Sequence, residues 1–373
     1  RISSSLYLDT VALCPAVSQL VQQSDMAKRI LHVLHFDINK TIMMSDPASG
    51  VSVEGMLNSI ISECIWGSVP AEPDKLDVDG WQMHSPVPSR DPPRNDLISY
   101  GEFLERRTTL SRPERKALKT TFTAPGSIGN ACREHFEMLR AKMQLISGSS
   151  SLPCSVVPAF FKLLLVLSEQ DIDYRIVFRT FGHDARSVAE EYNRFCTGTH
   201  PLFQEKGYAA PDKALDLSRG FKRLIRSASG PRLFMGIDAE NDEKELAHGL
   251  QPIYRYLRES LRQNMHALSI RDDFSWWRDC GESDDSGKLL LIHPEEENTD
   301  VFQVFFDDNI ERDYAHIVDV RNVLTGESIP YTESNGIYLC RVAPLEIIND
   351  ESYFVKELDR ILKNRGLAAD LLR

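Results

Sequence analysis

The run His35-Phe36-Asp37-Ile38-Asn39-Lys40-Thr41-Ile42 places an acid where an apolar segment stops, with an amide and a hydroxyl at the second and fourth positions beyond it. The apolar stretch Ile30 to Phe36 predicts a buried strand ending at Asp37. In open α/β sheets, ligands bind at the carboxyl ends of the strands. A carboxylate there can attack phosphorus or hold a metal ion. Asn39 bears on the same chemistry. The proton-handling partner of such a nucleophile is ordinarily a second acid, and an amide exchanges no proton at neutral pH.

Three further positions repeat the pattern in order. Thr180 follows the apolar strand predicted over Tyr174–Phe178, Lys288 opens the one predicted over Lys288–Ile292, and Asp307-Asp308 follow Val301–Phe306. Phosphoryl transfer calls for this set: a carboxylate to attack, a hydroxyl and an ammonium to neutralise the equatorial oxygens, and acids to hold Mg²⁺. Each residue alone has an ordinary reading. An Asp after a strand is commonly a turn or capping residue, as Asp37 and Asp307-Asp308 can be. Thr180 can be a strand-end hydroxyl, and Lys288 an exposed hairpin lysine. Lys222, in Arg219-Gly220-Phe221-Lys222-Arg223, competes for the ammonium. The joint order of all four is what points to a site.

These positions need a scaffold. At 373 residues the chain can form about two domains of ~150 residues. With 42% hydrophobic and 26% charged residues it reads as an ordinary globular protein. Its 43 basic and 55 acidic residues give −12, a field that argues against nucleic acid or anionic membranes as partners. The seven dispersed cysteines lack metal-ligand spacing and read as reduced thiols, so a cytoplasmic location is expected. Met26 looks like a start just before the first strand, which makes residues 1–25 an expected extension.

Residues 45–99 are rich in Pro, Ser, Asp and Gly, and a helical region follows, predicting an insertion over 45–150. Helices are predicted over Pro158–Glu169 and Ala185–Phe195, flanking the strand at 174–178. That order with short connections predicts a parallel sheet covered on both faces. Further on, Lys244–Gln263 reads as a helix, Ala267–Ile270, His316–Val320 and Gly336–Cys340 as strands, and Asp350–Asn364 as a closing helix. A second insertion is expected within 197–265.

The ordered motifs resemble those of the haloacid dehalogenase-like (HAD) superfamily. The first reads Phe36-Asp37-Ile38-Asn39-Lys40-Thr41, against an apolar strand and Asp-x-Asp-x-Thr/Val. The second is matched by Ile176-Val177-Phe178-Arg179-Thr180, the third by Lys288, and the fourth by Val304-Phe305-Phe306-Asp307-Asp308-Asn309. The resemblance covers the sheet core, about half the chain: residues 26–44 and 151–373 less the insertions. It implies a three-layer Rossmann-like α/β fold with 45–150 as a cap. It also implies that Asp37 is nucleophile and metal ligand, and that the main-chain carbonyl of Asn39 completes a Mg²⁺ site with Asp307 and Asp308. Thr180 and Lys288 would bind the transferring phosphoryl group.

The expected activity is therefore Mg²⁺-dependent hydrolysis of a small phosphorylated molecule through an aspartyl-phosphate. Family phosphatases carry Asp where this chain has Asn39. General acid-base catalysis contributes roughly 10²–10⁴-fold, or about 3–5 kcal/mol of barrier, so a slow or narrow enzyme is expected. The alternative is a catalytically degenerate binding or regulatory module on the same core. Arg106, Arg107, Arg112, Arg115, Lys116 and Lys119 form a basic stretch in the insertion that reads as a solvated helix face or as a second anion site. Gly281…Gly287-Lys288 has the wrong spacing for a P-loop.

Overall fold

The computed structural model describes residues 30–45, 50–69, 80–106, 109–147, 155–236, 244–263, 265–312, 315–367 and 370–372. The expected extension 1–25 lies outside the described residues. Strand β1 (Leu31–Asp37) leads into the insertion. That unit holds α1 (Val53–Cys64), β2 (Trp66–Ser68), β3 (Gln82–Met83), β4 (Ile98–Ser99), α2 (Tyr100–Glu105), α3 (Arg112–Thr120) and α4 (Arg133–Ser147). Then come α5 (Pro158–Glu169), β5 (Tyr174–Thr180) and α6 (Ala185–Cys196). Strands β6 (Phe221–Ile225), β7 (Arg232–Met235) and β8 (Glu245–His248) precede α7 (Leu250–Gln263) and β9 (Ala267–Arg271). The rest comprises α8 (Phe274–Asp279), β10 (Lys288–Ile292), β11 (Val301–Asp307), β12 (Ile310–Arg312), β13 (Ala315–His316) and β14 (Val318–Asn322). It closes with α9 (Tyr331–Ser334), β15 (Leu339–Arg341), α10 (Pro344–Asn349) and α11 (Tyr353–Asn364).

The central sheet runs β15-β11-β1-β5-β9-β6-β7-β8. Its first six strands are parallel, and β7 and β8 continue it antiparallel. Alternation along β1 explains the layering. Leu34 and Phe36 face one way, and Phe36 packs on Phe160 of α5, Phe306 of β11 and Phe354 of α11. Leu31 and Val33 face the other, against Ile253, Tyr254 and Leu261 of α7 and Leu289 and Leu291 of β10. Part of that second face is covered by the two-stranded parallel pair β10-β14 rather than by helix.

The 45–150 segment shares its apolar interior with the sheet. Met56, Ile60, Phe103, Phe136 and Leu139 join the cluster that contains Phe36, Ile38 and Ile42. Inside it, β3-β2-β4 forms a small antiparallel sheet around Trp81, whose indole N–H donates to the Ile98 carbonyl at 3.2 Å. A Cβ on Gly67 would sit 2.4 Å from that ring, so only glycine fits there.

Some expected elements shift. The helix predicted over Lys244–Gln263 begins only at Leu250. Before it, Glu245–His248 pairs with β7, and Gly249 at φ +89° turns the chain from strand to helix. Strands β6 to β8 lie within 197–265, so that span builds one edge of the central sheet. The closing helix expected at Asp350–Asn364 is α11, which starts three residues later at Tyr353, and the short α10 precedes it as an additional element.

On the α7 face of the sheet a polar cluster is buried. Arg179 grips Asp272 through two hydrogen bonds of 2.9 and 2.5 Å, and its Nη1 faces His35 Nδ1 at 3.4 Å. Arginine can only donate, so Nδ1 accepts and the proton of neutral His35 resides on Nε2, facing Gln303 Oε1 at 3.4 Å. Burial, reinforced by Arg179, lowers the His35 pKa to about 3. An unfolded histidine protonates near 6.5, so between pH 6.5 and 3 the unfolded chain binds the extra proton and native stability falls as pH falls. His35→Gln is expected to lose less stability than the parent across that window in urea melts. Parallel decline of the two proteins would refute the assignment.

Candidate active site

Register sets the geometry. Phe36 pairs with Phe306 and Asp37 with Arg179, so Asp307, Asp37 and Thr180 end three adjacent parallel strands at one edge. Neighbouring strands lie about 4.8 Å apart, which brings such terminal side chains within reach of one another. After Asp37 the chain turns tightly. Lys40 adopts φ +60°, its N–H donates to the Met43 carbonyl at 2.9 Å, and the Ile42 N–H donates to Ile38 at 3.0 Å. The turn folds Thr41 back, so its hydroxyl donates to Asp37 Oδ2 at 3.2 Å and accepts from the Asp308 N–H at 3.2 Å. One buried hydroxyl thus ties both acidic strand ends together.

Lys288 is 2% exposed, and its ammonium donates to Asp37 Oδ1 and, at 2.8 Å, to Asp307 Oδ2. It reaches them from outside the central sheet, at the first position of β10, where its N–H donates to the Ile317 carbonyl at 2.7 Å. A Cβ on the preceding Gly287 would lie 2.0 Å from that carbonyl oxygen, so the glycine permits the close approach. The competing Lys222 lies on β6, beyond β9, with its ammonium on the Arg219 carbonyl and Met235 Sδ, and burial lowers its pKa to about 8. The structure brings Lys288, not Lys222, to Asp37. Thr180 is buried at the same edge. Its oxygen accepts from the Gly182 N–H at 2.8 Å, which leaves its own proton free to donate.

Single carboxylate oxygens of Asp37, Asp307 and Asp308 lie within 4.8 Å of one another. Burial raises the Asp37 pKa to about 7, against the pull of Lys288 and with Asp307 adding to the rise. Burial also pushes Asp308 well above the ordinary carboxylate range, against Lys40. For Lys288 burial acts downward, but Asp307 and Asp37 outweigh it and hold its pKa above the usual lysine value. Three crowded carboxylates share Lys288 and part of Lys40, whose ammonium is mainly bound by Glu63 at 2.7 Å. An oxygen-only donor set with surplus negative charge fits a hard divalent cation such as Mg²⁺.

Asn39 takes no part in that cluster through its side chain. Its Nδ2 donates to Asp184 Oδ2 at 3.1 Å, while its Oδ1 is buried without a hydrogen-bond partner among the described residues. Asp184 is the residue sequence reasoning passes over. Standing just before α6 it reads as a helix cap, yet its side chain makes no capping bond. Nothing in Phe181-Gly182-His183-Asp184 signals a partner 145 positions away.

The basic stretch of the insertion is largely spent on its own acids. Arg115 and Lys119 bind Glu105, Lys119 also approaches Glu63, and Arg106 binds Glu102. Arg107 lies outside the described residues. No helix among the described residues is long and apolar enough to cross a membrane.

No family model matches this chain, and no curated protein or solved structure matches it either. The architecture is that of a mixed α/β protein with a mostly parallel central sheet.

Proposed function

We propose that this chain is a HAD-like, Mg²⁺-dependent phosphohydrolase acting on a small phosphorylated molecule, with 45–150 as its cap and the cytoplasm as its compartment. The carrying observation is that three segments of the chain meet at the carboxyl edge of the sheet: Lys288 hydrogen-bonds Asp37 and Asp307, and carboxylate oxygens of Asp37, Asp307 and Asp308 lie within 4.8 Å of one another. In this reading the Asp37 carboxylate attacks phosphorus, and the bond from phosphorus to the leaving oxygen breaks with its electron pair. Water then attacks the aspartyl-phosphate, and Asp37 is regenerated as phosphate departs. Thr41 fixes the Asp37 carboxyl through Oδ2, and Lys288 favours its ionised form against burial. The Thr180 hydroxyl and the Lys288 ammonium are donors for the phosphoryl oxygens. Asp37, Asp307, Asp308 and the Asn39 main-chain carbonyl would hold the cation, whose charge neutralises those oxygens when bound.

The test is phosphate release from a broad substrate panel with and without Mg²⁺, alongside Asp37→Ala. Equal release by both proteins rules the reading out. Asn39 is the observation that favours the second reading, a degenerate binding module. Absence of Mg²⁺ binding together with absence of turnover would select it.

A further inference from the structure

The Asn39 carboxamide is held by one end and bare at the other. A carboxylate only accepts hydrogen bonds, so the amide that meets Asp184 Oδ2 at 3.1 Å must present its N–H₂ group there. Asp184 is committed to that contact by its surroundings. It is 6% exposed, does not cap α6, and stands beside Gly182, where a Cβ would come within 3.0 Å of its Oδ2. The other end of the amide, Oδ1, is therefore fixed as an acceptor, and it is buried without a partner among the described residues. Buried acceptors are nearly always satisfied, so water or a ligand group with a proton to donate belongs against it.

We propose that Asp184 is a positioning residue that locks Asn39 as an acceptor, and that this specialises the site for phosphoryl donors whose leaving group departs as a stable anion: acyl phosphates and phosphoric anhydrides rather than alkyl monoesters. This rests on the phosphoryl-transfer reading above. In the first step the bond from phosphorus to the leaving oxygen breaks and its electron pair stays on that oxygen. An alkoxide requires a proton at that moment, and Oδ1 has none to give. A carboxylate or phosphate leaving group requires none. In the second step water can donate to Oδ1 and be oriented by it, while its proton passes to solvent or to the phosphate product. Formation of the aspartyl-phosphate from an acyl phosphate is then fast, and its hydrolysis, with no base to help, is slow.

The experiment measures kcat/KM of the full chain with Mg²⁺ for acetyl phosphate, phenyl phosphate and ethyl phosphate. Pre-steady-state release of acetate is followed in parallel. The parent protein is expected to favour acetyl phosphate over ethyl phosphate by about 10²-fold or more beyond the ratio of their uncatalysed rates, with a burst of acetate before steady phosphate release. Asn39→Asp should shrink that preference by about 10²-fold. Asp184→Asn, which frees the position-39 amide to turn over and present N–H, should shrink it partially. A purely structural role for Asp184 would lower all three substrates alike. Asp37-dependent turnover with no such preference, or a preference unmoved by Asn39→Asp, overturns this inference and leaves the phosphohydrolase standing. No phosphate and no acetate from any donor overturns both.

Discussion

Asp37→Ala is expected to cut Mg²⁺-dependent phosphate release by at least ~10⁴-fold while leaving the protein folded. Removing a covalent nucleophile from a preorganised site typically costs between about 10⁴ and 10⁶ in kcat, because the remaining donors have nothing to stabilise. The folded state should tolerate the change because of where the charge sits. Asp37 is a buried carboxylate whose pKa is pushed up to about 7, so the fold disfavours its ionised form. Alanine removes that penalty, and Lys288 keeps Asp307 as a partner at 2.8 Å. Relative to the parent, the variant should gain stability as pH rises from 4 to 7. Over that window native Asp37 retains a proton that the unfolded chain has lost, so parental stability falls. Phosphate assays paired with thermal melts at pH 5 and pH 8 separate the two effects. Retention of more than about a tenth of the activity would remove Asp37 from the role of nucleophile. A collapse in stability equal to the loss of activity would make the experiment a report on folding and refute the predicted tolerance.

The strand-end acids were legible in the sequence because two independent patterns coincide at each. An apolar run long enough for one strand stops, and the next residue is an acid, which a buried strand rarely carries in its middle unless it is paired. Asp37 and Asp307 both satisfy this, and the fold places their strands side by side. Lys288 was legible only by its order in the chain. Its strand belongs to a separate two-stranded pair, so no pattern within Lys288–Ile292 separates it from Lys222, another buried lysine on an apolar strand. Distance in the fold decides, and it is set by the packing of β10 over the sheet. Glu245–His248 shows the opposite failure. Glu, Leu and Ala favour helix locally, but pairing with β7 overrides that preference. The three short strands around Trp81 escaped detection because two or three residues carry no periodicity. The Asn39–Asp184 contact leaves no trace at either position, since each residue type has an adequate local explanation.

Lys288→Met should be the most destabilising single change at the site, and the loss should depend on metal and pH. The lysine is 2% exposed between two buried carboxylates, and methionine keeps most of its volume without its charge. Removing one partner of a buried ion pair costs about 3–5 kcal/mol, because the remaining charge is left uncompensated. Here Asp37 and Asp307 would be left facing each other, with Asp308 beside them. The native state can escape by keeping protons on these carboxyls, so it binds more protons than the unfolded chain, and the deficit grows as pH rises. A divalent cation offers a second escape. If the three carboxylates bind Mg²⁺, then in the variant the ion replaces the missing ammonium, whereas in the parent it must share Asp37 and Asp307 with Lys288. A ligand that binds only the folded state stabilises it by RT ln(1 + [L]/Kd), about 2.7 kcal/mol at a hundredfold excess over Kd. Urea melts in EDTA and in millimolar Mg²⁺ should therefore show a larger cation-dependent gain for Lys288→Met than for the parent, and larger at pH 8 than at pH 6. Turnover stays depressed in both conditions, because methionine cannot donate to the phosphoryl oxygens. Equal Mg²⁺ gains in the two proteins would mean that the ammonium and the cation do not answer to the same carboxylates, and the metal centre would have to be sought elsewhere in the fold.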